Sequence, residues 1–535
     1  MPSLKELNQK FIERKIKTQK MGGDIEVAKQ KAQKKLTVRE RIQILFDPQT
    51  FVEQGILAEH NSNDPDMAGK STPADGVVSG VGQIFGRSVA VIAYDFTVIA
   101  GTIGEVNERK AKRMRAWAAT MRIPLVWLLD SAGARIQEIA SSRFAMTGEL
   151  FYDQVALSGV VPQVAAMMGP CAAGTAYIAG LADFVPMVKG TSSMALAGPP
   201  LVKAAIGEDI SAENLGGSRV HCDISGVGDL EVNDDKACLE VVRKYLSFFP
   251  SHSGEKPPRA TVKKTSEDVS SRLAKALSGQ NPNDETLDDS ILEILPDNPR
   301  KHYDMRSILT KVVDGGDLLE LKPNFGKGLI TALARIGGNA LGIVASQPSY
   351  MGGVINIDES DKAARFINLC DAFNIPLVFF QDVPGFMVGS KVEHAGIIRH
   401  GAKMLYAVSR ASVPKITVVI RKAYGAGYYV MCGRAFGADK IVAWPSAEIS
   451  LMGAEGAVNI IFRKDIAKAA DPEKRRQELV AEYGQKISLD VAAQGAYIDD
   501  VIDPRDTRKI ILETLHLTSQ KQIPLPQRKH GVMPV

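Results

Sequence analysis

Runs of five to seven apolar residues alternate along the chain with segments whose apolar positions fall at i, i+3 and i+4. The runs have the length and continuity of strands buried on both faces. The segments, among them 113–121 and 363–373, have the one-sided spacing of helices packed against a sheet. Strand, helix and strand in that order predict an α/β fold with mostly parallel sheets and right-handed crossovers. The pattern occurs twice. RIPLVWLLD (122–130) is matched 252 positions later by NIPLVFFQD (374–382). Before each lies a helical stretch, ERKAKRMRAWAATM and ESDKAARFINLCDAF. After each comes a strand opened by Val-Pro, VVPQVAAMMGP (160–170) and SVPKITVVIRK (412–422). Both of these strands run into a turn of small residues, CAAGTAY (171–177) and YGAGYYV (424–430). Each turn is followed by a third short strand, ADFVPMV (182–188) and ADKIVAW (438–444), and a glycine-bearing stretch, ALAGPP and SLMGAEG. Matches in one order at a nearly constant offset predict two tandem domains related by internal duplication.

Between 251 and 300 the composition turns to Ser, Pro, Asn, Asp, Glu and Lys (SHSGEKPPRA, GQNPNDETLDDS), which places the join there and the domains at 1–255 and 256–535. The first 50 residues, rich in Lys and Gln, read as helices with an exposed face, an arm docked on the first domain. A chain of 535 residues, 45% apolar and 24% charged, matches a soluble globular protein of two large domains. A formal charge of +4 is too small on this length to mark a nucleic-acid or membrane-surface binder. No two of Cys171, Cys222, Cys238, Cys370 and Cys432 lie within four positions, so neither a zinc clip nor a disulfide scaffold is expected. No apolar run reaches 18 residues, the minimum of a membrane span, and no apolar signal core opens the chain. Glu6 and Glu13 speak against a transit peptide. The expected compartment is the cytoplasm, or a mitochondrion for a mature protein numbered after cleavage.

Glycine-rich turns entering helices expose backbone N–H groups at the positive end of a helix dipole. Such groups can hold a phosphate or an oxyanion formed during reaction. Ala172-Ala173-Gly174 and Gly425-Ala426-Gly427 are turns of this kind, in equivalent places of the two copies. Either turn alone reads as small residues permitting tight packing; as a pair they suit the activation of two reactants. Neither is a nucleotide loop, since GxxxxGK[ST] is absent, and GxSxG is absent too. Gly101-Thr102-Ile103-Gly104 is a lone glycine pair. His221 and His400 are isolated, which fits hydrogen-bonded structural residues. Glu138 fits a helix cap. Backbone donors therefore stand out over side-chain bases, which points to an enolate whose proton acceptor comes from another molecule.

Seven segments carry a resemblance: DSAGARIQE (130–138), MGPCAAGTAY (168–177), GPPLVKAAIGEDISAENLGGSRVH (198–221), QDVPGFMVG (381–389), GIIRHGAKMLYA (396–407), VPKITVVIRKAYGAGYY (413–429) and AEISLMGAEGAV (447–458). Together they resemble the carboxyltransferase (β) subunit of biotin-dependent acyl-CoA carboxylases, the group containing the propionyl-CoA and methylcrotonyl-CoA enzymes. The resemblance implies two tandem crotonase-like (ClpP/crotonase superfamily) domains, the first binding acyl-CoA and the second facing biotin. It implies that carboxybiotin, delivered on a carrier, releases CO2. The ureido nitrogen then takes a proton from the acyl-CoA, and the thioester enolate attacks CO2 through its α or vinylogous carbon. Ala173 and Gly174 would hold the thioester oxyanion, and Ala426 and Gly427 the biotin ureido oxygen. The family often has Gly-Gly at Ala173-Gly174; an alanine leaves the N–H donor undisturbed where φ is negative. CoA is expected near Gly133, Ala134 and Arg135, with Arg135 or nearby lysines on its phosphates. The alternative for Arg135 is a structural pair with a carboxylate.

Tyr429 stands where propionyl-type relatives commonly have Asp and methylcrotonyl-type relatives Tyr, and is expected to border the acyl pocket. The chain has no Met-Lys-Met biotinylation site, no ATP-binding module and no metal-binding cysteine quartet. Biotin carboxylase and the biotin carrier are thus expected on other chains. In the family each active site forms between subunits, which implies a homo-oligomer, typically a hexamer. The same turns would serve a decarboxylase of the glutaconyl-CoA or methylmalonyl-CoA type. A non-catalytic scaffold is a third reading, against which the small residues of both turns count. Some segments resemble the propionyl type (QDVPGF, GIIRHGAK) and others the methylcrotonyl type (GPPLVKAA, VHCDISGV), which leaves the acyl group open.

Overall fold

The computed structural model describes residues 2–140, 142–261, 288–298, 301–524 and 526–534. Most of the polar stretch in which the sequence places the join, 262–287, lies outside the described residues. The chain divides into two compact units, Met1–Lys256 and Pro257–Val535.

Each unit is built on an eight-stranded sheet. The first contains β1 (Val52–Gln54), β2 (Val77–Ile84), β3 (Arg87–Tyr94), β4 (Leu125–Ser131), β5 (Gln163–Ala172), β6 (Pro186–Val188), β7 (Ser193–Ala195) and β8 (Leu230–Val232). Its order is β1-β2-β3-β4-β5-β6-β8, with β7 paired to the far end of β5. The second contains β9 (Leu318–Leu321), β10 (Leu329–Ile336), β11 (Asn339–Ser346), β12 (Leu377–Val383), β13 (Lys415–Tyr424), β14 (Lys440–Ala443), β15 (Glu448–Ser450) and β16 (Asp500–Val501). Its order is β9-β10-β11-β12-β13-β14-β16, with β15 on β13. The two orders are the same, and β2 to β5 coincide with β10 to β13 at the offset of 252.

The sheets are mixed. From β3 and β11 onward the pairs are parallel, but β1-β2-β3 and β9-β10-β11 are antiparallel. Between β2 and β3, and between β10 and β11, the cause is a two-residue turn, Phe85-Gly86 (φ 51° and 73°) and Gly337-Gly338 (57° and 78°). Positive φ at both positions is the turn whose twist suits an antiparallel hairpin. The crossover helices, Glu105–Met121 and Ile357–Ala372, are longer than the predicted stretches and correspond at the same offset. Each is followed by a left-handed residue, Arg122 (φ 53°) and Asn374 (φ 58°).

Two buried charges recur in the copies. Asp130 on β4 is fully buried and accepts from Lys35 Nζ at 2.7 Å and Arg41 Nη1 at 2.9 Å; Arg41 Nε also donates to Asp235 at 2.7 Å. Its counterpart Asp382 on β12 accepts from Arg421 Nε at 3.0 Å. The N-terminal arm is thus docked through Lys35 and through the helix Val38–Leu45, which buries Val38, Arg41, Ile42 and Leu45. The first helix, Leu4–Thr18, buries only Thr18.

The second recurring charge is a lysine on the crossover helix. Lys110 Nζ donates to the carbonyls of Ala74 (2.8 Å) and Val77 (2.5 Å). Lys362 Nζ lies within hydrogen-bond distance of four carbonyls, those of Lys322, Phe325, Gly326 and Leu329. Burial pulls the Lys110 ammonium down to about 8 and that of Lys362 to about 7.

Arg41→Ala leaves Asp130 and Asp235 short of a partner inside the core, and breaking a buried pair this way costs about 3–5 kcal/mol. Urea unfolding should show a loss of that size, against less than about 1 kcal/mol for the exposed pair Lys203–Asp209. Lys362 sets a pH window. Its folded pKa lies below the unfolded value, so between about pH 7 and 10 the unfolded chain binds the extra proton and stability rises with pH. Lys362→Met should remove that rise from the pH dependence of the urea midpoint.

Candidate active site

In the first unit β5 ends at Ala172 and the helix Gly174–Leu181 begins two residues later. Ala173 makes the reversal alone. Its N–H donates to Ala195 O on β7 at 3.0 Å, and its φ and ψ are 55° and −126°. That region is used almost only by glycine, and a side chain there costs about 1–3 kcal/mol. The negative φ under which an alanine would leave the donor undisturbed is therefore not met. The N–H groups of Gly174 and Thr175 open the helix without an i−4 partner, and no side chain caps them. Thr175 Oγ1 instead donates to Ala172 O at 2.7 Å, which closes the turn from inside.

Two loops lie on this turn. Gly133 follows β4 at φ 96°, and a Cβ built on it would stand 2.9 Å from Ala172 O and 3.9 Å from Ala173 Cβ. Ala134 bridges Ile103 in parallel fashion: Ile103 N–H donates to Gly133 O and Arg135 N–H to Ile103 O, both at 2.8 Å. Ala132, Ala134 and Ala173 are exposed. The structure so brings Gly133, Ala134, Ala173 and Gly174 together.

The Arg135 guanidinium is not part of that surface. It is fully buried, donates from Nη1 to Asp75 at 2.7 Å and to Glu138 at 2.9 Å, and reaches Thr102 O at 3.2 Å. The expected contact with CoA phosphates is corrected to the structural pair, because every direction of the fork is used inside the protein. Glu138 also accepts from Glu105 N–H at 2.7 Å, so it caps the crossover helix. Burial raises the Asp75 carboxyl, with Arg135 opposing. His221 lies between Met194 O and Ser225 Oγ, both at 2.8 Å, and His400 pairs with Asp361 at 2.7 Å. Both are structural. Cys171 adjoins the turn, but burial pushes its thiol up to about 12.

The second unit repeats the geometry one residue away from where the sequence pattern places it. Tyr424 pairs with Ser450 as Ala172 pairs with Ala195, and Gly425 has φ 55°. Gly425 and Ala426 are therefore the counterparts of Ala173 and Gly174; the equivalence drawn with Ala426 and Gly427 is corrected by one position. Ala426 is exposed. Gly427 is buried, and a Cβ on it would stand 2.8 Å from Val383 Cγ2 and 3.0 Å from Gly385 Cα. Its missing side chain thus admits the loop after β12. Gly385 (φ 126°) stands where Gly133 does, and its O accepts from Ile355 N–H at 3.1 Å. The Tyr424 hydroxyl donates to Glu448. Tyr429, 47% exposed, lies on the same short helix, its ring 5.6 Å from that of Phe436. Among the described residues no group of three His, Cys, Asp or Glu could hold a metal ion.

A family model described as the carboxyl transferase domain matches residues 29–533. The chain belongs to this family. It is 43% identical over 517 residues to the methylmalonyl-CoA decarboxylase subunit alpha of Propionigenium modestum, covering 96% of each chain. It is 41% identical over 524 residues to the propionyl-CoA carboxylase carboxyltransferase subunit of Haloferax mediterranei, covering 98% of each. A solved transcarboxylase 12S structure, a hexamer assembly with methylmalonyl-coenzyme A and methylmalonic acid bound, superposes with a TM-score of 0.93 at 43% identity, over 100% of this chain and 99% of that one. The motif resemblance and the duplicated crotonase-like fold are thereby borne out, and the chain is a carboxyltransferase of the biotin-dependent acyl-CoA type.

The paired lysines, the paired aspartates and the Asp75–Arg135–Glu138 cluster were not anticipated. Asp130 and Asp382 had a visible signal, an aspartate closing an apolar strand at the same place in both repeats. Ala173→Gly should relieve backbone strain and, after the added chain entropy of glycine, stabilise the protein by about 1 kcal/mol. A thermal melt checks this; a drop in midpoint would contradict the strain.

Proposed function

We propose that the turn at Ala173-Gly174 receives the thioester oxygen of an acyl-CoA and that the turn Gly425-Ala426-Gly427, in which Ala426 stands where Gly174 does, receives the ureido oxygen of a carrier-borne biotin. The observation that carries the reading is the N–H of Gly174, uncapped and half-exposed at the start of its helix, beside the loop that holds Gly133 and Ala134. An enolate places most of its negative charge on that oxygen, and a fixed donor stabilises this charge more than the ground-state carbonyl. Carboxybiotin supplies the carboxyl group and the base; the chain's own part is to hold both oxygens. On this reading residues 1–255 carry the acyl-CoA and residues 256–535 the biotin side. Tyr429 borders the acyl group.

Biotin carboxylase and the biotin carrier are separate partners, and the subunits assemble as a hexamer, as the transcarboxylase 12S structure does. Among the described residues no helix is long and apolar enough to cross a membrane. The cytoplasm is the proposed compartment. A second direction, decarboxylation of a substrate such as methylmalonyl-CoA, is favoured by the 43% identity to a decarboxylase subunit.

Gly174→Pro tests the assignment. Proline is tolerated at the first position of a helix and deletes the N–H, while its ring adds a contact toward Phe151 and constrains Ala173. Removing one oxyanion donor lowers kcat by about 10²–10³-fold. Carboxyl transfer should fall by that factor with circular dichroism and assembly state unchanged. Normal turnover in a folded variant would overturn the role of this turn.

A further inference from the structure

Ala173 keeps a side chain where the fold does not ask for one. In the second unit the same reversal, with the same φ of 55°, is made by Gly425. The Ala173 methyl is exposed, so it fills no gap in the core that would offset its strain. Its Cβ lies 3.9 Å from the point a Cβ on Gly133 would occupy, so it overhangs the gap between the turn and the loop 131–135. The N–H of the next residue, Gly174, is the uncapped donor. An acyl group whose oxygen sits on that donor meets the methyl. Gly174 itself presents no obstacle, since a Cβ there would meet only Phe151 Cζ, at 3.4 Å.

We infer that the Ala173 methyl is a specificity element that limits the substituent on the α carbon of the acyl-CoA. Residues held in sparsely populated backbone regions persist at sites where the strained geometry is used, and here the strained residue contributes one methyl to an open surface. The inference rests on the reading of the Ala173-Gly174 turn as the thioester site. Its consequence is a ranking of substrates by α-substituent, with hydrogen and methyl accepted ahead of ethyl.

The test uses the complete complex and follows label from carboxyl-labelled malonyl-CoA, methylmalonyl-CoA and ethylmalonyl-CoA to carrier biotin. A change of one methylene in a pocket shifts selectivity by about 10- to 200-fold. Ala173→Gly should therefore raise kcat/KM for ethylmalonyl-CoA relative to malonyl-CoA by at least about tenfold. Ala173→Ser, which retains a Cβ, should keep the original ratio. An unchanged ratio in Ala173→Gly, with transfer abolished in Gly174→Pro, would overturn the specificity role and leave the site standing. Undiminished transfer in Gly174→Pro would remove the site and the inference together.

Discussion

Both turns leave strands, β5 and β13, whose parallel neighbours β4 and β12 carry a buried aspartate, Asp130 and Asp382, and a buried carboxylate is tolerated only if its charge is met. The two units meet it differently. In the first, the neighbour of Asp130 on β5 is Gly169, and a Cβ there would overlap the Asp130 carboxylate. The countercharge enters from outside the sheet, as Lys35 and Arg41 of the N-terminal arm. In the second, the residue at the matching place on β13 is Arg421, which pairs with Asp382 directly. One constraint thus explains why the first unit needs an arm. Arg41 also reaches Met168 O on β5 and Asp235, which ties the arm to more than strand β4.

From that anchor the geometry of the turns follows. A strand that must deliver its chain straight into a helix needs one residue of positive φ, and it must pass close to the loop of the adjacent strand. Gly133 and Gly385 provide the close approach on one side, Ala173 and Gly425 the reversal on the other. The small-residue pairs at the two turns are inverted, Ala-Gly in one copy and Gly-Ala in the other. The backbone donors are therefore alike while the methyl groups point from different positions. Duplication has preserved the hydrogen-bonding surface and let the side chains around it diverge.

The repeat was legible because burial on both faces of a strand leaves a long apolar run, and two such runs at one spacing are hard to produce otherwise. The register at the turn is less plain. Gly, Ala and Tyr recur in YGAGYY, so matching the small residues slips the register by one; the offset of 252 sets Gly425 against Ala173, and the pairing of Tyr424 with Ser450 agrees. The antiparallel start of each sheet had a signal in Gly337-Gly338, yet its counterpart Phe85-Gly86 hides it behind an aromatic residue. Arg135 misleads for a different reason. A cation in a glycine-rich motif suggests phosphate, but one of its acceptors, Asp75, lies 60 residues upstream, and only the fold brings it in beside the local Glu138.

On the proposed reading, in which the site is made of backbone donors, the site also bears on direction. Relatives of this chain are named for decarboxylation and for carboxylation, and no difference in acid–base side chains is needed to separate them. An N–H group that stabilises an enolate oxygen does so whether the enolate is about to gain a carboxyl group or has just lost one, because both directions pass through the same transition states. It has no protonation state to lose and no geometry to reset between half-reactions. Which way the carboxyl group moves is then decided by the free energy of the biotin adduct that a partner supplies or consumes. A family can therefore change direction by changing partners, while the turns, the aspartates beneath them and the arm that neutralises the first of these stay as they are.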